Sequence, residues 1–387
     1  MKTKPALGLM VVLIMFPQIV ETIYSPVLPH IAIRFDVSVK AASQTLSVYF
    51  LAFALGVIVW GVVADLLGRR KTMLLGLSVY ALSAAGAVVA PSFELLMVAR
   101  GLSAFGVAVG SVVTQTMLRD SYDGSELSKV YSYMGMGISL SPVIGMMSGG
   151  FLAEWGGHSY VFVTLSGLAL VLLMISVATL PETMPETIHG TTPEITAPSA
   201  LGDLFRQMIR DNDIWRSALL VALFNVLLFS YYLQGPFLFE QLGYDSITFG
   251  RSGIVLAMGT FAGSLLNKRL IQKGFIHQRL MFIATLLGLV GAIGVLLLQG
   301  SLWFLLPMIF VVMGFGIGIP NVLSQALVHY RSQAGSAGAV LGLLYYLMIG
   351  AGLAVAGTVQ NLGIVLVACA IIAVLTVTIK ARNSCIA

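Results

Sequence analysis

Two ionisable side chains stand inside long apolar stretches of this 387-residue chain: Glu21 in "FPQIVETIYSPVLPHIAIRF" and Arg100 in "LLMVARGLSAFGVAVGSVVTQTMLRD". A charge in hydrocarbon is expensive, so an acid or base placed there marks a proton, ion or substrate pathway. A buried carboxyl can take up and release a proton, and a nearby guanidinium tunes when it does so. At 1.5 Å per helical residue, Glu21 lies ~12 Å and Arg100 ~10 Å from the outer ends of their segments, depths that allow the two to meet. The same helical spacing sets Ser103, Gly110 and Thr114 on the face of Arg100, with Ser111 and Gln115 beside it. A third concentration of charge is "GVVADLLGRRK" at 61–71, squeezed between two apolar runs. Its bases, Arg69, Arg70 and Lys71, would hold the loop on the inner side of a membrane. Asp65 at the membrane edge calls for a base or a helix amino terminus. Gly61 leaves room for another helix to approach.

A set of membrane-spanning helices is needed to position these groups. The chain is 58% hydrophobic and 10% charged, where a soluble domain carries roughly 25% charged residues. A hydrocarbon core of ~30 Å takes ~20 apolar residues per helix. Runs of that kind fall at about 6–29, 44–66, 72–91, 94–118, 127–153 and 159–180, and again at about 214–239, 252–272, 280–299, 302–327, 334–358 and 361–379. The expectation is an all-α membrane protein of twelve spans. An even number places both termini on one side. Of the 21 Lys and Arg, 17 fall on that side and only Arg34, Lys40 and Arg251 on the other. Both termini are therefore expected to be cytoplasmic. The basic and apolar start is read as a retained first helix, because Glu21 interrupts it and no small-residue cleavage site follows.

The polar stretch 181–213, with Pro181, Pro185, Pro193 and Pro198, divides six spans from six. The expected organisation is a first bundle over 1–183, a cytoplasmic linker over 184–213 and a second bundle over 214–387. "LGDLFRQMIR" within the linker has the spacing of a short surface helix. The halves echo each other: "GVVAD" (61–65) ends the second span and "GSLLN" (263–267) the eighth. No nucleotide-binding loop and no H-E-x-x-H is present, and Cys369 and Cys385 lack metal-ligand spacing. An enzyme and a nucleic-acid partner are therefore not expected, nor is a metal or other cofactor. The basic balance belongs to short inner loops.

The loop at 61–71 resembles the G-x-x-x-D-R-x-G-R-R signature of the major facilitator superfamily, through Gly61, Asp65, Gly68, Arg69 and Arg70, with Leu66 replacing the usual arginine. In that family the loop is a conformational latch whose acid engages the start of helix eleven, near Gly335 and Ser336 here. The first span resembles the bicyclomycin/chloramphenicol-resistance subfamily of drug:proton antiporters, which carries an acid and then Y-x-P-x-x-P. Tyr24, Pro26 and Pro29 match, and Glu21 stands one residue before the subfamily's aspartate. Span four resembles R-x-x-Q-x-x-G through Arg100 and Gly106, with Ser103 in place of the glutamine. Span five resembles the antiporter motif G-P-x-x-G-G through Gly145, Gly149 and Gly150, with Met146 in place of its proline and Pro142 matching a subfamily proline; these are helix-packing positions.

The resemblance implies two six-helix bundles with a substrate site between them, and rocking of the bundles. It implies export of small organic compounds in exchange for protons, the proton being the coupling ion, across a bacterial cytoplasmic (inner) membrane. Export of an endogenous polar metabolite such as a siderophore, or proton-coupled import, are the alternatives. Glu21 and Arg100 are the candidate proton-coupling residues. Candidate substrate contacts are Glu21, Tyr24, Tyr49, Arg100, Ser103 and Gln115 in the first half, and Asn225, Phe229, Tyr232, Asn321, Gln325, Tyr345 and Tyr346 in the second. The expected partners are a small organic substrate and the lipid bilayer, and the expected state is a monomer.

Overall fold

The computed structural model describes residues 4–184 and 198–384. Most of the proline- and threonine-rich linker expected from the sequence, 185–197, lies outside them. Every regular element among the described residues is a helix, as a chain in hydrocarbon requires to satisfy its own backbone. In order they are α1 (Leu7–Ile23), α2 (Leu28–Arg34), α3 (Val39–Leu67), α4 (Arg69–Val88), α5 (Phe93–Ser121), α6 (Gly124–Thr179), α7 (Pro198–Arg210), α8 (Asn212–Gln241), α9 (Ser246–Gln272), α10 (His277–Leu298), α11 (Leu305–Ala326), α12 (Ala334–Val359) and α13 (Leu362–Ser384).

Among the described residues, ten helical segments are long and apolar enough to cross a bilayer, and Leu362–Thr378 is a shorter apolar one. The twelfth span comes from α6. Its 56 residues would make a rod of ~84 Å, far beyond a ~30 Å hydrocarbon core. The backbone leaves the helix at Gly156 and at Gly157, whose φ of 61° and ψ of −150° suit a residue without Cβ. Two spans therefore meet at this glycine pair. The first span also runs further than its apolar residues suggest, to Arg34 rather than 29. Pro26 opens a 3-10 turn at Ser25–Val27 and Pro29 opens α2. At a helix start the missing N–H of proline is harmless, so the chain jogs and continues.

The chain forms two compact units, Met1–Val37 with Val48–Phe205, and Ser38–Ser47 with Arg206–Ala387. In the first, α1 packs on α5 and α6, and α4 on the same two helices. Gly145 and Gly149 of α6 seat directly on α1: a Cβ at Gly149 would strike the Ile23 carbonyl, and one at Gly145 the Thr22 hydroxyl. Gly150 is buried and Pro142 half-buried in the same helix. Gly149→Val is expected to destabilise the first unit by ~1–3 kcal/mol, the usual range for overpacking. Thermal unfolding in detergent checks it, and an unchanged midpoint would contradict the close approach.

In the second unit α10 packs on α11 and α13, α11 on α8 and α9, and α12 and α13 on α8. The segment Ser38–Ser47 belongs here through Gln44 Nε2, which donates to the Ala354 carbonyl at 3.1 Å, and Gln360 Nε2, which donates to Ser43 Oγ at 3.3 Å. The surface helix expected in the linker is α7. Leu204 and Met208 are buried, while Phe205 and Ile209 are partly exposed on the flank. The Trp215 indole N–H donates to the Ile209 carbonyl at 2.6 Å, tying α7 to the start of α8.

Candidate functional site

The site in the first unit is built around a proline. Pro17 interrupts α1 one turn before Glu21. Lacking an N–H, it leaves the Leu13 carbonyl without its helical donor. Gly110 of α5 closes on that point, where a Cβ would lie 2.7 Å from Leu13 O. The Tyr49 hydroxyl of α3 donates to the Pro17 carbonyl at 3.3 Å. These contacts bring α1, α3 and α5 together around two charges. Glu21 is 4% exposed and Arg100 0% exposed.

The two side chains share an electrostatic field but do not form the direct ion pair that their equal depth suggests. Among the described residues no carboxylate oxygen lies within 4.0 Å of the Arg100 nitrogens. Aromatic faces hold the guanidinium instead: its carbon sits 3.8 Å from the Tyr24 ring centroid and 4.8 Å from that of Tyr49. Helix rotation decides this outcome, and spacing alone does not specify rotation. A desolvated cation–π contact is worth about 2 kcal/mol. Two of them fall short of offsetting both the several kcal/mol needed to desolvate an ion and its unsatisfied hydrogen bonds. Among the described residues, Nε, Nη1 and Nη2 of Arg100 and Oε1 of Glu21 have no hydrogen-bond partner. The first unit therefore holds a guanidinium and a carboxyl atom buried close together without hydrogen-bond partners among the described residues.

The neighbouring candidates divide. The Ser103 hydroxyl is engaged by its own helix, donating to Arg100 O at 2.9 Å. Thr114 is buried with its hydroxyl unpartnered among the described residues, and Gln115 is half-buried one position on. In the second unit Phe229 and Tyr232 pair with ring centroids 5.7 Å apart, and Tyr345 and Tyr346 at 4.5 Å. The Asn225 side chain donates to the Val221 carbonyl at 2.8 Å. Asn321 donates to Asn267 Oδ1 and to Ile317 O, both at 2.7 Å. Asn267 is the residue that echoes Asp65 in the repeat, so the second half joins its helices there by neutral amides. Gln325 is exposed near the end of α11. Sequence reasoning passed over Ser230 and Gln234 of α8, both buried with a side-chain oxygen unpartnered among the described residues. Their signal was the polar pair in an otherwise apolar run.

The loop between α3 and α4 is anchored inside its own unit. Arg69, 4% exposed, bridges Asp65 at 2.7 Å and Asp120 of α5 at 2.9 Å. The Glu182 carboxylate caps α4, accepting from Arg69 N at 2.9 Å and Arg70 N at 3.1 Å. An anion at a helix amino terminus is favourable. Gly68 has φ 94°, and a Cβ there would stand 2.6 Å from Glu182 Oε2. Gly61 is looser than expected, since its nearest neighbour would be 3.8 Å from an added Cβ. The Arg70 side chain donates to Val177 O at 2.7 Å.

Asp120 and Glu182 are the members that the sequence reading missed. Exposure ranks the contacts: the Asp65 side chain is 56% exposed and that of Asp120 14%. An exposed i,i+4 pair contributes only ~0.3–0.5 kcal/mol. Glu182, itself exposed, accepts from two first-turn amides, so Glu182→Ala is expected to speed hydrogen exchange at those amides by about fivefold, the loss of ~1 kcal/mol expected for a helix cap. Asp65→Asn should change it little. Equal effects of the two variants in exchange mass spectrometry would contradict the ranking.

Apolar spans in two helical bundles, with an acid and a base buried together in the first, define a polytopic membrane transporter. The chain belongs to the Major Facilitator Superfamily, whose model matches residues 10–357. It is 35% identical to an uncharacterized transporter of Rickettsia bellii, over 86% of this chain and 84% of that one. It is 26% identical to Multidrug resistance protein D of Escherichia coli, over 86% and 84% of the two chains. Among solved structures, a bacterial homolog to the human lysosomal transporter Spinster superposes with a TM-score of 0.75 over 97% of this chain and 96% of that one, at 17% identity. That likeness shows the fold.

Proposed function

We propose that this transporter exports small organic compounds from the bacterial cytoplasm in exchange for protons, by alternating access, with both termini cytoplasmic. The observation that carries the proposal is the buried Glu21 carboxyl in the field of an Arg100 guanidinium whose donors are unpartnered among the described residues. Protonation of Glu21 changes the field at Arg100, and an acceptor group of a substrate at Arg100 changes the field at Glu21. Each ligand thereby alters the binding of the other, and such coupling is reciprocal. Within the second unit, the aromatic pairs Phe229–Tyr232 and Tyr345–Tyr346 suit an amphipathic organic molecule. The similarity to a multidrug resistance protein supports the same reading.

The test is transport in proteoliposomes with an imposed pH gradient and a panel of lipophilic organic compounds. At least one compound should accumulate on the acidic side, and a protonophore should abolish the accumulation. Accumulation on the alkaline side, in the direction of proton flow, would instead indicate import.

A further inference from the structure

We propose that His158 is an acid-released clasp: neutral, it holds α2 against the turn between the two spans of α6, and protonated, it lets α2 go. The turn is the glycine pair Gly156–Gly157, where the backbone leaves the helix. His158 opens the next span and is 8% exposed. Its ring makes a T-shaped contact with Phe35, with centroids 5.5 Å apart. The His30 ring lies against the bare Gly157 backbone, where an added Cβ would stand 3.8 Å from His30 Cδ2. α2 and the 3-10 turn before it both pack on α6, and these rings belong to that contact.

The charges acting on the ring carry one sign. Burial disfavours a proton on His158, and so do the Arg34 guanidinium and the His30 imidazole of α2. Among the described residues of the first unit, the carboxylates at this end are Asp36 after α2, Glu94 in the first turn of α5 and Glu154 on α6. All three are exposed, and none acts on the imidazole. The Ser159 hydroxyl, 3.4 Å from Nε2, can serve either protonation state. Phe35 can offer a charged ring a cation–π contact, but the Arg34 guanidinium already stands 5.8 Å from its centroid. The fold therefore favours the neutral ring. By linkage the contact is at full strength above the ordinary imidazole range and weakens as the pH falls below about 6.5.

The clasp lies close to the buried charges. Phe162, four residues after His158 in the same helix, meets the Tyr24 ring at 5.8 Å, and Tyr24 carries the Arg100 guanidinium. Both sides of that aromatic contact are tethered by the clasp, Phe162 through the start of its span and Tyr24 through α2. The consequence for transport rests on the proposed antiport cycle, in which this end faces the side from which protons enter. The release itself does not rest on it.

The experiment is hydrogen-exchange mass spectrometry of the purified full-length protein at about pH 7.5 and about pH 5.5, on either side of the imidazole range, with protection corrected for the intrinsic exchange rate. Protection of α2 should fall by about fivefold at the lower pH, the low end of a coupling between sites, while α10 of the second unit keeps its protection. His158→Gln should remove this pH dependence. His158→Phe, which keeps a ring against Phe35, serves the same purpose if the glutamine disturbs packing. Glu21→Gln should retain the dependence. Unchanged protection of α2 in the wild type, an equal fall in α10, or a persistent dependence in both His158 variants would overturn the inference. Loss of the dependence in Glu21→Gln would overturn it too, by assigning the effect to that carboxyl. A fall in α2 protection that His158→Gln removes would stand even if proteoliposomes showed no antiport.

Discussion

Glutamine at position 21 is expected to leave a folded protein that exchanges substrate across the membrane but does not concentrate it against a gradient. Glu21→Gln preserves shape and removes one property, the ability to lose a proton. Glu21 is 4% exposed and packed in α1, so an isosteric amide avoids a cavity and mimics the protonated carboxyl, and stability should change by less than about 1.5 kcal/mol. Without a proton to release, no free energy passes from the gradient to the substrate. Accumulation should fall to the level of empty liposomes, while counterflow of labelled for unlabelled substrate continues. Glu21→Asp keeps the carboxyl but withdraws it by one methylene, and partial activity with a displaced pH optimum is expected. Wild-type accumulation and pH dependence in Glu21→Gln would place the proton site elsewhere.

Arg100→Ala is the second large effect, and the balance of its terms separates structure from function. Truncating a fully buried side chain between Tyr24 and Tyr49 leaves a cavity that by itself costs ~2–5 kcal/mol. The same change removes a buried cation that is itself costly to hold away from water. The two oppose each other, so thermal stability should move little. Transport should be lost, because the donors offered to substrate and the field on Glu21 vanish together. Arg100→Lys keeps the charge and the ring contacts but loses the planar fork, so partial transport with weakened substrate affinity is expected. A large drop in melting temperature for Arg100→Ala, with transport by the surviving folded fraction intact, would reduce Arg100 to a structural residue.

Much of the architecture was legible because apolar run length is a direct physical requirement of the bilayer. The turn between the fifth and sixth spans and the jog after Ile23 both sit at glycine or proline, where local backbone chemistry speaks plainly. That Glu21 and Arg100 are both buried, and near enough to act on each other electrostatically, was legible in the sequence. Rotation was not: whether Arg100 meets Glu21 head-on or lies between Tyr24 and Tyr49 depends on how three helices turn about their axes. Partners distant in sequence were hidden for the same reason. Glu182 meets Arg69 across 113 residues and Asn321 meets Asn267 across 54, and no local pattern encodes those meetings. An acid standing directly after Pro181 at the end of a span was the available hint for Glu182. The Asn321 amide, for example, joins α11 to α9.

In the proposed cycle, protons and substrate move in opposite directions through steps that use Glu21. The most direct measurement is substrate-driven proton movement in proteoliposomes, starting with no pH gradient and a pH-sensitive dye inside. Adding an outward substrate gradient to the wild type should drive protons inward and acidify the lumen. Glu21→Gln, carrying the same substrate gradient, should leave the lumen unchanged while substrate still equilibrates. Substrate efflux from the wild-type vesicles with no acidification, or equal acidification with Glu21→Gln, would contradict the account.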